Sequence, residues 1–396
     1  MKTLVYKPLS EIAELLNGYA FKSKNYVSSG IRVIRIANVQ DGYISDEKPC
    51  FYPIDTQEDV TRYMLKENDF LVSLTGNVGR VAILTQEFLP AALNQRVSCI
   101  RIKNEEINFK FLFYYFLRKQ FQKDCIEASQ GVAQLNLSTK WLEKYPIPVP
   151  PIEEQKRIVA KIEELFSELD NGVETLKKTK QQLAVYRQAV LKEAFEDLNE
   201  FSTIRESSTL VTSGSRGWAQ YYSTKGAKFI RIGNLTRDSI DIDFSDTQYV
   251  DLPDKAEGLR SKLQPNDVLI SITADLGSIG LVPNNIGEAY INQHIAVVRF
   301  KNPKQGKFMA WYLRSDCGQK DLLKNKRGAG KLGLGLDDIR DSKVPVLTDE
   351  RADIIINNIE ARLSVCDSIE QTVATALQQA EAMRQSILKK AFEGEL

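Results

Sequence analysis

Two stretches of this 396-residue chain, 197 positions apart, carry the same heptad pattern, and that pairing restricts the possible folds more than any other feature. In the first, Ile158, Ile162, Leu165, Leu169, Leu176, Leu183, Tyr186 and Val190 fall on alternating spacings of four and three once Gly172 and Thr179 are counted in the seam. In the second, Ile355, Ile359, Arg362, Cys366, Val373, Ala380, Met383 and Ile387 repeat the register, with Ile369 and Ala376 opposite Gly172 and Thr179. An apolar seam of this period needs a partner helix. One short stripe ordinarily packs on a globular core; two long matched stripes without an internal proline predict two helices that pair with each other. Each is about 45 residues, roughly 65 Å at the α-helical rise.

The first helix follows the run YPIPVPP and opens on Pro151-Ile152-Glu153-Glu154. A proline suits the first helical position, and acids in the first turn suit the positive end of the helix dipole. The two helices end alike, with Arg187-Gln188 and Ala194-Phe195-Glu196 in one and Arg384-Gln385 and Ala391-Phe392-Glu393 in the other. The predicted order is an α+β domain over 1–151, a helix over 152–198, a second α+β domain over 199–348 and a second helix over 349–396. No spare linker exists to return the chain for a parallel pair. The helices are therefore expected to run antiparallel, with the domains at opposite ends of the rod and related by a pseudo-two-fold.

The segments between the helices are themselves a repeat. Gly30 to Asn38 (GIRVIRIAN) matches Gly226 to Asn234 (GAKFIRIGN), and Asn68-Asp69-Phe-Leu-Val-Ser73-Leu-Thr75 matches Asn266-Asp267-Val-Leu-Ile-Ser271-Ile-Thr273. Gly79 falls on Gly277, and Asn94-Gln95-Arg96 on Asn292-Gln293-His294. In the first copy, Leu9–Leu16 reads as a small helix, Ile31–Ile36, Asp69–Leu74, Val81–Leu84 and Val97–Ile102 as strands, and 109–129 as one aromatic-faced helix. The scaffold repeats while the loop tips differ, as expected where two copies of one fold contact different things.

Lys and Arg number 53 against 52 acids, so total charge indicates no partner, but its distribution is uneven. The two globular segments carry net charges of +3 and +4 and the two helices −2 and −4, a slight lean toward nucleic acid at the globular parts. The five cysteines, Cys50, Cys99, Cys125, Cys317 and Cys366, are scattered and never in C-x-x-C, which reads as buried thiols of a reducing compartment. Neither a signal peptide nor an apolar run long enough for a membrane span is present, so a soluble cytoplasmic protein is expected.

No catalytic constellation is evident: P-loop, H-E-x-x-H and G-x-S-x-G patterns are all missing, as is the Asn/Asp-Pro-Pro-aromatic stretch of adenine methyltransferases. The lone His294, at a strand start, reads as structural, and the glycine-rich 326–335 run lacks the strand-to-helix context of a dinucleotide site. The residue types that remain suit DNA, where Arg, Asn and Gln read base edges and Lys, Arg and hydroxyls hold phosphates. The candidates are Lys22, Lys24, Asn77, Arg80, Gln95, Arg96, Gln130 and Gln134 in the first copy. In the second they are Ser213, Ser215, Arg216, Trp218, Tyr221, Lys225, Ser278, Gln293, Lys326, Arg327 and Lys331. Asn94 and Asn292 are expected to hold loop geometry instead.

The chain resembles the DNA specificity subunits of type I restriction–modification systems over nearly its whole length. The resemblance rests on Pro148-Val-Pro150-Pro151-Ile-Glu-Glu-Gln155-Lys-Arg-Ile158, on the endings Arg187 to Phe195 and Arg384 to Phe392, and on the Leu71-Val-Ser73…Gly79 and Leu269-Ile-Ser271…Gly277 cores, each followed by Asn-Gln. The second linker departs from the pattern: Lys343 to Arg351 has one proline and lacks Glu-Gln, so Thr348 is expected to cap the second helix. The resemblance implies a non-catalytic reader of double-stranded DNA. Each domain would read one half of a bipartite site, and the helices would set the unread spacer. Two methyltransferase subunits would bring S-adenosylmethionine, with no cofactor in this chain, and a translocating nuclease subunit could join. The other reading is a coiled-coil scaffold whose globular ends bind protein.

Overall fold

The computed structural model describes residues 5–56, 60–103, 105–131, 134–252, 260–324, 326 and 333–396. The chain divides into two compact units, Met1–Leu176 with Thr375–Leu396, and Lys177–Ala374, so each unit takes part of both long helices.

In the first unit, β1 (Tyr6–Pro8) and α1 (Leu9–Ile12) lead into β2 (Ala13–Asn17), β3 (Ile31–Ile34), β4 (Phe51–Tyr52), β5 (Phe70–Ser73), β6 (Val81–Ile83), β7 (Ala91–Leu93) and β8 (Val97–Ile102). Helices α2 (Phe109–Phe116), α3 (Lys119–Ala128) and α4 (Thr139–Glu143), strand β9 (Pro146–Pro148) and the long α5 (Ile152–Phe195) follow. One antiparallel sheet has the order β2-β8-β5-β6 and a second the order β4-β3-β7, with β3 and β7 parallel. β1 pairs with β9, bringing the start of the unit beside the segment that leads into α5.

The second unit repeats this plan as β10 (Phe201–Thr203), α6 (Ile204–Ser207), β11 (Ser208–Ser213), β12 (Tyr222–Ser223), β13 (Ala227–Ile230), β14 (Gln248–Val250), β15 (Val268–Ser271), β16 (Ile279–Leu281), β17 (Ala289–Ile291) and β18 (Ile295–Phe300). Then come α7 (Gly306–Arg314), α8 (Asp316–Leu322), α9 (Leu336–Arg340), β19 (Lys343–Pro345) and α10 (Asp349–Glu393). Its sheets are β11-β18-β15-β16 and β12-β14-β13-β17, again with one parallel pair, β13 and β17.

Two expectations are corrected. The helix read over Leu9–Leu16 stops at Ile12, because Ala13–Asn17 pairs with β8 from Ala13↔Ile102 to Asn17↔Ser98. The helix read over 109–129 is two helices: Arg118 at the break is extended, and its guanidinium lies 3.7 Å from the Tyr115 ring centre and donates to the Tyr115 carbonyl. In both cases tertiary contacts override local propensity, at the second break through Gln385, which accepts from the Lys119 amide and donates to the Leu117 carbonyl.

The repeat extends to buried polar detail. Asp69 accepts both arms of the Arg101 guanidinium and the Lys66 amide, and Asp267 does the same with Arg299 and the Gln264 amide. Gly18 and Gly214 lie against backbone: a Cβ at either would stand 2.3 or 2.0 Å from a carbonyl group, Asn94 in one copy and Ile291 in the other. These contacts require glycine at both positions.

Within each unit the long helices pack antiparallel. In the second, Arg187 donates to Asp367 and Glu370, and Arg362 to Glu193 and the Tyr186 hydroxyl. In the first, Arg384 donates to Asp170. Ile162, Leu183, Val190, Ile359, Cys366, Val373 and Ala380 of the expected seam are buried, whereas Tyr186 and Met383 are largely exposed. A second face of each helix docks on the sheet-and-helix body: Phe392 packs edge-on to Phe111 and Tyr115, and Phe195 does so against Phe308 and Tyr312.

The linker motif has a physical role. Gln155 is fully buried, accepts from the Asn108 amide at 2.7 Å and donates to the Glu106 and Pro150 carbonyls. In the second copy Asp349 takes over, accepting from Asn302 and Gln305 at 2.7 Å each. Thr348 accepts from the Arg351 amide at 3.4 Å, so the hydroxyl caps this helix as the sequence predicts.

Candidate nucleic-acid interface

In the first unit the pairing register brings several loops to one edge of the β2-β8-β5-β6 sheet. Ser73, ending β5, pairs with Val97, starting β8, and Asn17, ending β2, pairs with Ser98. The loops after β2, after β5 and before β8 therefore emerge together. The segment 130–137 joins them: Gly76 donates to the Leu135 carbonyl at 2.9 Å, Leu137 to that of Leu74 at 2.8 Å, and the Thr75 hydroxyl to Asn136 at 3.0 Å. The second unit builds the same edge from Ser271↔Ile295 and Ser213↔Ala296, with Leu334 donating to the Ile272 carbonyl at 3.0 Å.

The loop after the central strand is pinned identically in both copies. The buried Ser73 hydroxyl bridges the Asn77 carbonyl and the Arg80 amide, and Ser271 bridges the Asp275 carbonyl and the Ser278 amide. Gly79 and Gly277 close these turns at φ of 78° and 80°, a conformation that favours glycine. Asn94 and Asn292 accept from the amides of Arg96 and His294, so they hold loop geometry, as expected.

Among the first-copy candidates, Asn77, Gln95, Arg96, Gln130 and Gln134 lie exposed on the assembled loops. Lys22 and Lys24 are exposed farther along the loop that leaves β2, beyond the point where Gln95 donates to the Tyr19 carbonyl. Arg80 is turned back toward the body, donating to Gln40 at 2.7 Å.

In the second copy, Ser213, Ser215, Arg216 and Gln293 line a cleft of about 430 Å³ with Gly214, Arg260, Thr273 and His294. Lys225 and Lys326 are exposed elsewhere, and Tyr221 packs partly against the Trp218 cluster. Arg327 and Lys331 lie outside the described residues.

Two candidates are corrected by their burial. Trp218 is 5% exposed and stacks on Phe229 at 4.8 Å and 15°, filling the second-sheet core. Ser278 is buried and donates to Asp275 at 2.7 Å. Neither side chain is free to meet a base.

The cleft-lining charges are cationic. Arg216 and Arg260 form no ion pair among the described residues, and no carboxylate lines the cleft with them. Nearby, Arg237 binds Asp275 with two nitrogens, and that guanidinium together with the Ser278 hydroxyl holds the Asp275 carboxyl below the usual range. Arg260 and Thr273 were not singled out from the sequence. Thr273 stood within the repeated Ser-x-Thr motif and could have been, whereas no pattern marks Arg260. His294 is part of the cleft rather than of the core.

An α+β fold present twice, with polar loops gathered at one sheet edge in each copy and a long helix after each, defines a duplicated, helix-linked α+β protein. Residues 1–184 match the family described as the type I restriction modification DNA specificity domain. The EcoBI specificity subunit of Escherichia coli is 27% identical over 98% of this chain and 85% of its own length. The StySPI specificity subunit of Salmonella potsdam is 24% identical over 98% and 88%. A structure reported for complex assembly and conformational transition of the type I R-M system superposes with a TM-score of 0.76, at 18% identity over 100% of this chain and 99% of that one. The HsdS subunit from Thermoanaerobacter tengcongensis gives 0.53, at 18% identity over 100% and 98%. Over nearly its whole length the chain is similar to specificity subunits of type I restriction–modification systems, and residues 1–184 carry the DNA specificity domain of that family.

Proposed function

We propose that each α+β copy reads one half of an asymmetric, bipartite duplex site through its sheet-edge loops, and that α5 and α10 set the unread gap between the halves. The observation that carries this reading is the contrast between the copies. Ser73/Ser271, Gly79/Gly277, Asp69/Asp267 and Asn94/Asn292 make the same contacts in both, while the residues at the loop tips they shape differ, Asn77 and Arg96 in one against Asp275 and His294 in the other. One scaffold with two sets of polar tips suits two different sequences.

The chain contributes recognition and no chemistry of its own. Two adenine methyltransferase subunits, bringing S-adenosylmethionine, are the partners this reading calls for, and a translocating nuclease subunit completes the restriction assembly. Two copies of one fold would offer the methyltransferases two equivalent docking sites.

The test is a salt-titrated binding series with the full chain and its co-expressed methyltransferase subunit. Sequence-specific binding that weakens steeply as salt rises is the expected result. Saturable protein partners with no DNA preference at any salt would favour the scaffold reading.

A further inference from the structure

The chain's one histidine, His294, stands in the second-copy cleft in a three-residue hydrogen-bonded chain. The Gln293 side-chain nitrogen lies 2.7 Å from His294 Nε2, and His294 Nδ1 lies 2.8 Å from the Thr273 hydroxyl. An amide NH2 can only donate. His294 Nε2 must therefore be the bare, accepting nitrogen, the ring proton sits on Nδ1, and Thr273 accepts it. This neutral tautomer fixes the Gln293 amide with its nitrogen held by the ring and its carbonyl oxygen and second N–H left over. The first copy lacks the device: Gln95 is followed by Arg96, which can only donate, and Gln95 makes no side-chain hydrogen bond among the described residues.

An oxygen and an N–H side by side on one glutamine amide match the N6–H and N7 of adenine in the major groove. Guanine offers two acceptors there, and thymine one acceptor beside a methyl group. We propose that His294 is a positioning residue that locks Gln293 to read an adenine in the second half-site, an inference that rests on the DNA reading above. Without the ring, nothing fixes which end of the Gln293 amide faces outward, and the adenine pattern is lost. The charged groups facing His294 across the cleft, among the described residues, are Arg216 from the loop after β11 and Arg260 from the segment before β15.

The experiment uses the full chain with its methyltransferase subunit and duplexes carrying each of the four bases at every position of the second half-site. The unsubstituted complex is expected to prefer adenine at one position by about five- to 150-fold, the range of one bidentate contact. His294→Phe removes the preference at that position alone. His294→Gln places a carbonyl oxygen where Nε2 stood and keeps the preference. A uniform loss of affinity over all positions in His294→Phe, loss of the preference in His294→Gln, or a preferred base other than adenine would overturn the inference while leaving the DNA reading intact. Absence of any sequence preference in the unsubstituted complex would overturn the DNA reading, and this inference with it.

Discussion

Arg187 donates to the Asp367 carboxylate at 2.6 Å, and 197 positions away in each direction its counterparts, Arg384 and Asp170, make the same pair. The partners exchange helices between the two pairs: the arginine is on α5 in one and on α10 in the other. A duplicated chain whose helices pair antiparallel within each unit must behave this way. Because both ends are partly solvated, each pair is weak. Arg187→Ala and Asp367→Ala, alone and together, should give a coupling energy of roughly 0.2–1 kcal/mol in denaturant unfolding, falling with salt.

The buried pairs behave differently. Asp267 is 1% exposed and accepts from Arg299 and from the Gln264 amide. Arg299→Leu strands this carboxylate and should destabilise the second unit by about 3 kcal/mol or more, read as a lowered denaturation midpoint at unchanged slope. Arg101→Leu should do the same to the first unit.

Gly214→Ala is predicted to be costly although it adds one methyl group. The added carbon would stand 2.0 Å from the Ile291 carbonyl oxygen and 2.5 Å from Asn292, both backbone, so the strand end and the cleft must shift together. A loss of about 3 kcal/mol is expected, with DNA affinity falling alongside thermal stability. Gly172→Ala, where a Cβ would meet nothing within 4 Å, should stabilise α5 by about 1 kcal/mol.

Asp275 supplies a pH dependence whose sign can be worked out. Its carboxyl is held down first by Arg237 and then by Ser278. A group depressed in the folded state adds stability that is full above the unfolded carboxylate value of about 3.9 and is lost as pH falls through the lower folded value. Asp275→Asn should therefore lower thermal stability at neutral pH, by under about 1 kcal/mol for so exposed a pair, and the difference should vanish in acid.

Much of this was legible in the sequence, because duplication shows each constraint twice. The heptads, the Ser-x-Thr cores and Asn94/Asn292 each mark a position where geometry allows few residues, and the structure places them as read apart from the seam residues Tyr186 and Met383, which are exposed. The misreadings arose where a local pattern is ambiguous. Leu9–Leu16 has a helical apolar spacing, but β8 recruits its second half as a strand partner. Trp218 stands among the candidate DNA contacts by its place in a polar loop, yet its ring completes a core with Phe229 and Tyr290. Arg260 comes to the cleft through tertiary folding alone, which no local motif records.

The central claim, that each copy specifies one half of a bipartite site, is tested most directly by mapping methylated adenines across a host genome when this chain is co-expressed with its methyltransferase subunit, with and without Arg96→Ala. The account predicts a two-part motif with a fixed gap that appears only with the chain present, and relaxation within a single half when Arg96 is changed. A continuous motif, or relaxation spread over both halves by that one substitution, would contradict it.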